Sequence, residues 1–195
     1  GSDDVYMIGK IATFQIQNLL VAYKERFDKD NFIKNLLLDN LLLVDIYNRA
    51  KKLHIETDVR RLVFIVETKH EKVNNALETL RTLFASKAKD FITAVDEKNI
   101  IVVREVKPGE TYEDLEKVAT QIVDALRVDG ENRVFVGIGT LALHLRSLAK
   151  SYKEAQIAIE VGKVFDTERY IINYENLGIG RLIYQLPTTL CEMFL

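Results

Sequence analysis

The amino-acid sequence predicts an α+β fold, in which a ferredoxin-like domain follows an N-terminal helical segment. The first 57 residues have the apolar spacing of helices, whereas β-favouring runs and amphipathic helices alternate after Val59. The predicted order is β-α-β-β-α-β-α-β, which is the ferredoxin-like arrangement with an appended αβ unit. Of the 195 residues, 48% are hydrophobic and 29% are charged, which is typical of a globular protein.

The N-terminal segment is predicted to begin with a long helix over residues 4–27. Residues 4–55 contain no proline, and side chains along one face recur at alternating spacings of four and three. The residues of this seam are Met7, Ile11, Phe14, Asn18 and Val21. A buried amide such as Asn18 often fixes register and dimeric state in coiled coils. Two alternatives follow, a homodimer through this seam or packing of the helix on its own domain.

Two further helices are predicted before the sheet begins. Asp28 and Asp30 precede a run of apolar residues at helical spacing, which is typical of a capped helix start. A helix over residues 41–53 follows.

The sheet is expected to begin at Arg61, where a continuous β-favouring run predicts a strand buried on both faces. An amphipathic helix over 73–84 comes next. Strands over 91–95 and 100–106 are joined by the polar turn Asp96-Glu97-Lys98-Asn99, which is consistent with a hairpin.

The second half of the domain repeats helix and strand. Thr111 and Asp114 are predicted to cap a helix with one apolar face, and residues 134–138 form the next strand. A helix over 145–162, a short strand at Ile171-Ile172 and a final helix over 177–186 complete the pattern.

Composition and charge limit the function classes. The net charge is −2 and the pI is about 6.0, so the chain lacks the basic face of a module that binds DNA by itself. No apolar run approaches the roughly 18 residues of a membrane helix. Cys191 is the single cysteine, which fits a reducing cytoplasm.

Several short segments, in this order and spacing, resemble one known family. The segments are Phe32–Leu37, Arg49–Ile55, Gly137-Ile138-Gly139, Ser151–Ala155 with Ala158, Tyr174–Gly178, and Arg181-Leu182. They are similar to the middle domain of bacterial sugar-diacid and purine-catabolism transcriptional regulators (CdaR/PucR type), which is a degenerate GGDEF-like, nucleotide-cyclase-like domain. That family more often has glycine where this chain has His54.

The resemblance implies a division into a helical linker over 1–57, a GGDEF-like domain over 58–186, and the start of a C-terminal DNA-binding region over 187–195. Together with the heptad seam and the single cysteine, it leads us to expect a cytoplasmic homodimer without cofactors. An effector would be bound by an N-terminal domain that is not in this sequence. DNA would be bound only through a C-terminal helix-turn-helix that is also outside it. The function expected is signal relay between those two parts.

The same resemblance raises the alternative of a nucleotide cyclase. That chemistry needs two divalent ions held by carboxylates at the first-strand end and in the hairpin, where paired glycines admit the nucleotide. The candidates here are Glu67, Asp96 and Glu97, and the hairpin contains no glycine. We therefore expect no enzymatic activity, no catalytic residues and no metal site.

A further alternative is a nucleotide or small-molecule sensor without turnover. Lys69, His70 and Lys72, beside Glu67, could contact a phosphate. His54, His70 and His144 fall in separate segments, without the close spacing of metal ligands.

Overall fold

The computed structural model describes residues 1–68, 73–87, 89–128, 133–165 and 171–178, and it confirms the α+β fold. The helices are α1 (Ser2–Leu37), α2 (Leu43–Lys52), α3 (Val73–Leu83), α4 (Tyr112–Val128) and α5 (Leu148–Phe165). The strands are β1 (Arg61–Glu67), β2 (Phe91–Ala94), β3 (Asn99–Glu105), β4 (Phe135–Ile138) and β5 (Ile171–Asn173). The predicted final helix lies outside the described residues, except for Leu177 and Gly178.

The strands form one sheet in the order β2-β3-β1-β4-β5. The central strand β1 pairs antiparallel with both β3 and β4, and β2 and β3 form the predicted hairpin. The appended strand β5 runs parallel to β4, because α5 carries the chain back across the sheet. This topology confirms the ferredoxin-like arrangement with its additional αβ unit.

Helices cover both faces of the sheet, which explains why β1 is a continuous apolar run rather than an alternating one. Leu62, Phe64 and Val66 pack in the same cluster as the apolar faces of α3 and α4. Val63 and Ile65 point the other way, into a cluster with α2, α5 and the end of α1. The two layers hold the central strand in place from both sides.

The first helix is longer than predicted. The expectation of a new helix at Asp28 and Asp30 is wrong, because α1 runs without interruption for 36 residues. No proline or glycine breaks it there, and the Asp30 carboxylate lies 3.7 Å from the guanidinium of Arg81 on α3 instead of capping a helix. The last apolar residues of α1 are at most 2% exposed and belong to the core of the domain. These residues are Phe32, Ile33, Leu36 and Leu37.

The predicted capping of α4 is confirmed. The Thr111 hydroxyl accepts the backbone N–H of Asp114 at 3.3 Å, and the Asp114 carboxylate accepts the backbone N–H of Thr111 at 2.9 Å. This reciprocal pair satisfies two of the N–H groups that a helix start leaves open.

The end of α2 requires a residue with positive φ. The N–H of Ile55 donates to the Ala50 carbonyl at 2.9 Å, and that of His54 to the Lys51 carbonyl at 3.3 Å. This is a Schellman motif, and it places His54 at φ 56°. Glycine is favoured in this conformation, which explains the glycine that the resembling regulators more often have here.

Candidate functional site

The first candidate site is the edge of the sheet where β1 ends and the β2–β3 hairpin turns. Glu67 pairs in register with Asn99, and the backbone N–H of Thr68 donates to the Lys98 carbonyl at 2.9 Å. The structure therefore brings the first-strand end and the hairpin turn together, as a cyclase-like arrangement requires.

The carboxylate of Glu67 is already engaged by a cation from α5. Nζ of Lys163 lies 2.6 Å from one Glu67 oxygen and 2.8 Å from the other. Both side chains are partly buried, which weakens the screening of their attraction by water. The ion pair ties α5 to the end of β1 and places a positive charge where a cyclase needs a divalent ion.

Asp96 is engaged in shaping the turn itself. One carboxylate oxygen accepts the backbone N–H groups of Lys98 and Asn99, each at 2.8 Å, and the Asn99 side chain donates to the other oxygen at 2.8 Å. Partial burial works against ionisation, but these hydrogen bonds outweigh it and lower the pKa of Asp96. The carboxylate thus acts as a turn former.

Two of the candidate carboxylates at this edge already have other partners. Glu67 is paired with Lys163, Asp96 is used by its turn, and no group of three or more His, Cys, Asp or Glu side chains within the described ranges could hold a metal ion. Lys69, His70 and Lys72, the candidate phosphate contacts, lie outside the described residues.

The structure pairs a histidine that sequence spacing left isolated. Nδ1 of His144 lies 2.9 Å from the carboxylate of Asp58, although 86 positions separate the two residues. Asp58 is exposed and His144 is partly exposed, so the pair is a surface contact between the segment before β1 and the loop after β4. Local spacing could not have found it, because only the folded sheet brings these segments together.

The second candidate site is the free part of α1, residues 2–27, which we call the arm. The apolar seam residues Met7, Ile11, Phe14 and Val21 are between 54% and 65% exposed. Asn18 of the same seam is also exposed. Isolated exposed apolar residues are ordinary, but a contiguous patch of this extent marks an interaction surface. Across the described residues, no helix is long and apolar enough to span a membrane.

A cleft of about 460 Å³ lies at the base of the arm, between α1 and the β2 edge of the sheet. Arg26, Asp30, Arg61, Lys89 and Glu105 are among its charged lining residues. The Lys89 ammonium lies 3.5 Å from Glu56 and 3.8 Å from Glu105, so several of these charges neutralise one another across the cleft.

Arg61 is the most deeply buried charge of this cleft, at 3% exposure. Its Nη2 donates to the Glu56 carbonyl at 2.7 Å, whereas Nε and Nη1 have no hydrogen-bond partner in the described part of the chain. Burial lowers the pKa of Arg61, and the nearby Glu105 and Glu56 oppose that effect. Sequence reasoning did not single out Arg61 as a site residue, because it is simply the first position of a buried strand.

The glycines of Gly137-Ile138-Gly139 have a packing role that sequence reasoning missed. A Cβ on Gly139 would overlap the carbonyl and hydroxyl oxygens of Ser151, and one on Gly137 would overlap α5 at Ala155. Because α5 approaches so closely, the Ser151 hydroxyl can accept the backbone N–H of Val63 in β1 at 3.3 Å. Both glycines therefore serve the close contact between α5 and the sheet.

These features place the chain among α+β domains of ferredoxin-like topology with helices on both faces of the sheet. The family model of the GGDEF-like domain matches residues 40–161, more than half of the chain, and the chain belongs to that family. A comparison with curated proteins finds no match.

Proposed function

We propose that this chain is a non-catalytic relay element of a cytoplasmic bacterial transcriptional regulator of the sugar-diacid or purine-catabolism type. It would couple an upstream ligand-sensing domain to a downstream helix-turn-helix. The observation that carries the proposal is the continuity of α1, whose exposed arm and buried last turns form one unbroken helix. The GGDEF-like family match and the resembling segments support the class of regulator.

A continuous helix is a mechanical link between its two ends. At about 1.5 Å per residue, the arm is roughly 40 Å long. From the arm, α1 continues without a break to Leu36 and Leu37, which share a cluster with Val63 and Ile65 of the central strand. A rotation or shift of the arm would therefore be transmitted to the sheet. Coupling of this kind needs only about 1–3 kcal/mol of difference between two arrangements.

A homodimer is the second part of the proposal. The exposed seam of the arm supplies apolar surface that a second copy would cover. A twofold dimer would also match the symmetry of a palindromic operator, which is how dimeric helix-turn-helix proteins read DNA.

Relay without catalysis is favoured over cyclase activity by the state of the hairpin edge. The Glu67 carboxylate contacts Lys163, Asp96 stabilises the turn, and the hairpin carries no glycine. A nucleotide with two divalent ions would have to displace these contacts.

The relay is tested by changing the phase of the arm in the full-length natural protein. Two alanines inserted after Lys24 rotate the seam by about 200° relative to the domain, whereas a seven-residue insertion rotates it by only about 20°. We expect the two-residue insertion to abolish the effector response of a reporter gene and the seven-residue insertion to retain it. An unchanged response with both insertions would overturn the relay.

A second candidate function, a small-molecule sensor, is favoured by the cleft at the base of the arm with its buried Arg61. Thermal unfolding with GTP, GDP and cyclic dinucleotides, each with magnesium, tests it against a sugar diacid as comparison ligand. A ligand at 100 times its Kd stabilises by about 2.7 kcal/mol. A nucleotide-specific shift in Tm would favour the sensor. It would also justify a turnover assay that compares the unmodified chain with Glu67→Gln.

A further inference from the structure

We infer that two arms pair as a parallel, in-register, two-stranded coiled coil through the seam of Met7, Ile11, Phe14, Asn18 and Val21. The inference rests on the proposed homodimer and adds the orientation, register and face of its contact. In heptad terms, Met7, Phe14 and Val21 occupy position d, and Ile11 and Asn18 occupy position a. All five side chains are exposed, so they are free to contact a second copy.

The arm has a second apolar face, and its composition makes it the poorer partner surface. Val5, Ala12, Ile16, Leu19 and Tyr23 follow the same alternation of four and three on the opposite side of the helix. The position between Val5 and Ala12 in that series is Gly9, where open space surrounds the helix. A missing side chain in the middle of a seam leaves a hole that knobs-into-holes packing cannot fill. The seam with Asn18 has no such gap.

Asn18 selects the parallel orientation. In a parallel in-register pair, position a faces position a, so the two Asn18 amides meet and hydrogen-bond to each other. In an antiparallel pair, position a faces position d, and each Asn18 lies against the partner's Phe14. That arrangement buries two amides without partners, which disfavours the antiparallel pair.

The charges that flank the seam favour the same orientation. Lys10, Gln17 and Lys24 occupy position g. In an antiparallel pair, position g faces position g, which brings Lys10 beside the partner's Lys24 twice. In a parallel pair, position g faces position e of the next heptad, and Lys10 lies beside the partner's neutral Gln15. Within residues 7–22 the parallel pair therefore avoids repulsion between like charges, and Lys24, which by the same rule would face the partner's Lys29, lies beyond that stretch.

The same pattern sets where the coil ends. The next a and d positions after Val21 are Glu25 and Asp28, both charged and exposed. Two carboxylates in the seam would repel those of the second copy, so the coil ends near Ala22. Ala22 and Glu25 both line the cleft at the base of the arm, so the coil ends where that cleft begins.

Cysteine crosslinking of the whole chain tests the geometry. The variants are Ile11→Cys, Val21→Cys and the matched control Ile16→Cys, each with Cys191→Ser, since Cys191 is the only native cysteine. Ile11 and Ile16 are the same residue type at 54% and 56% exposure, on opposite faces of the arm. Each variant is oxidised alone, and Ile11→Cys and Val21→Cys are also oxidised together in an equimolar mixture. The fraction of covalent dimer is measured in every sample.

The parallel in-register pair predicts that Ile11→Cys and Val21→Cys each crosslink alone by more than half, with Ile16→Cys at least fivefold lower. Positions 11 and 21 lie about 15 Å apart along a helix, beyond the reach of a disulfide, so the mixture should yield few mixed dimers. Crosslinking only in the mixture would show an antiparallel pair and overturn the inference while retaining the dimer. Preferential crosslinking of Ile16→Cys would overturn the choice of face. A chain that stays uncrosslinked in every sample, and monomeric by light scattering, would overturn the proposed homodimer itself.

Discussion

Both parts of α1 carry large apolar side chains, but their surroundings are opposite. The last turns bury Phe32, Ile33 and Leu36 almost completely, whereas Ile11, Phe14 and Leu20 of the arm are more than half exposed. One helix therefore serves two environments. The apolar residues of the last turns pack against the sheet of the domain. Those of the arm remain exposed and available to a partner.

The largest expected effect separates these two environments directly. Leu36→Ala removes a fully buried side chain and should lower the free energy of unfolding by about 2–5 kcal/mol. Its matched control, Leu20→Ala, removes the same side chain from an exposed position off the seam, with an expected change within about 0.5 kcal/mol. Urea denaturation of both variants measures the difference. Equal losses would mean that the arm packs on its own domain.

Substitutions of one glycine in the domain and one in the arm test the same contrast at the level of backbone packing. Gly139→Ala forces a Cβ into Ser151 and should destabilise by about 1–3 kcal/mol, because neither backbone can yield easily. Gly9→Ala meets nothing within 4 Å and should instead favour the helix by about 0.5–1 kcal/mol. Thermal unfolding of the first and the helical ellipticity of the second are the measurements. A stable Gly139→Ala protein would contradict the close approach of α5 to β4.

The lowered pKa of Asp96 predicts a pH dependence of folding stability that arises in the domain and not in the arm. A carboxyl group with a depressed folded pKa contributes stability above its unfolded value of about 3.8, and that contribution is lost as pH falls through the lower folded value. We expect an NMR titration of the Asp96 carboxyl to have its midpoint below 3.8. Asp96→Asn should flatten the loss of stability over the same acid range. A midpoint above 3.8 would mean that the turn does not hold the carboxylate.

The smallest expected effect is a gain at the end of α2. His54→Gly should raise the free energy of unfolding by about 0.5–1 kcal/mol, because glycine adopts φ 56° without a Cβ penalty. His54→Ala is the control, since it removes the imidazole but keeps the Cβ, and it should give no gain. A loss of stability in His54→Gly would show that the imidazole contributes more than the strained backbone costs.

The sequence was sufficient for the fold because local patterns agree with the tertiary structure. The continuous run at β1, the polar turn at Asp96 and the capping pair at Thr111 each predict their element from nearby residues alone. The predicted helix start at Asp28 was wrong, and it shows the limit of local patterns. An aspartate can cap a helix only where a helix begins, and α1 runs through Asp28 without interruption.

The site was less predictable, because its main contacts join distant segments. Glu67 and Lys163 are 96 positions apart, and Ser151 and Val63 are 88 apart. No spacing rule connects such residues before the sheet is assembled. The seam of the arm was visible in the sequence because it depends on periodicity alone. Its exposure required the structure, since the same stripe could have packed on the domain.

Sedimentation equilibrium of the chain over a wide range of concentrations tests most directly whether the arm seam joins two copies. Phe14→Asp places a charge in the seam, and Thr13→Asp places the same charge at the adjacent residue, which lies off the seam. We predict reversible dimerisation of the unmodified chain, at least tenfold weaker association for Phe14→Asp, and little change for Thr13→Asp, with equal helical content in all three. A chain that is monomeric at every concentration, or a Phe14→Asp variant that dimerises as well as the unmodified chain, would contradict this role for the arm.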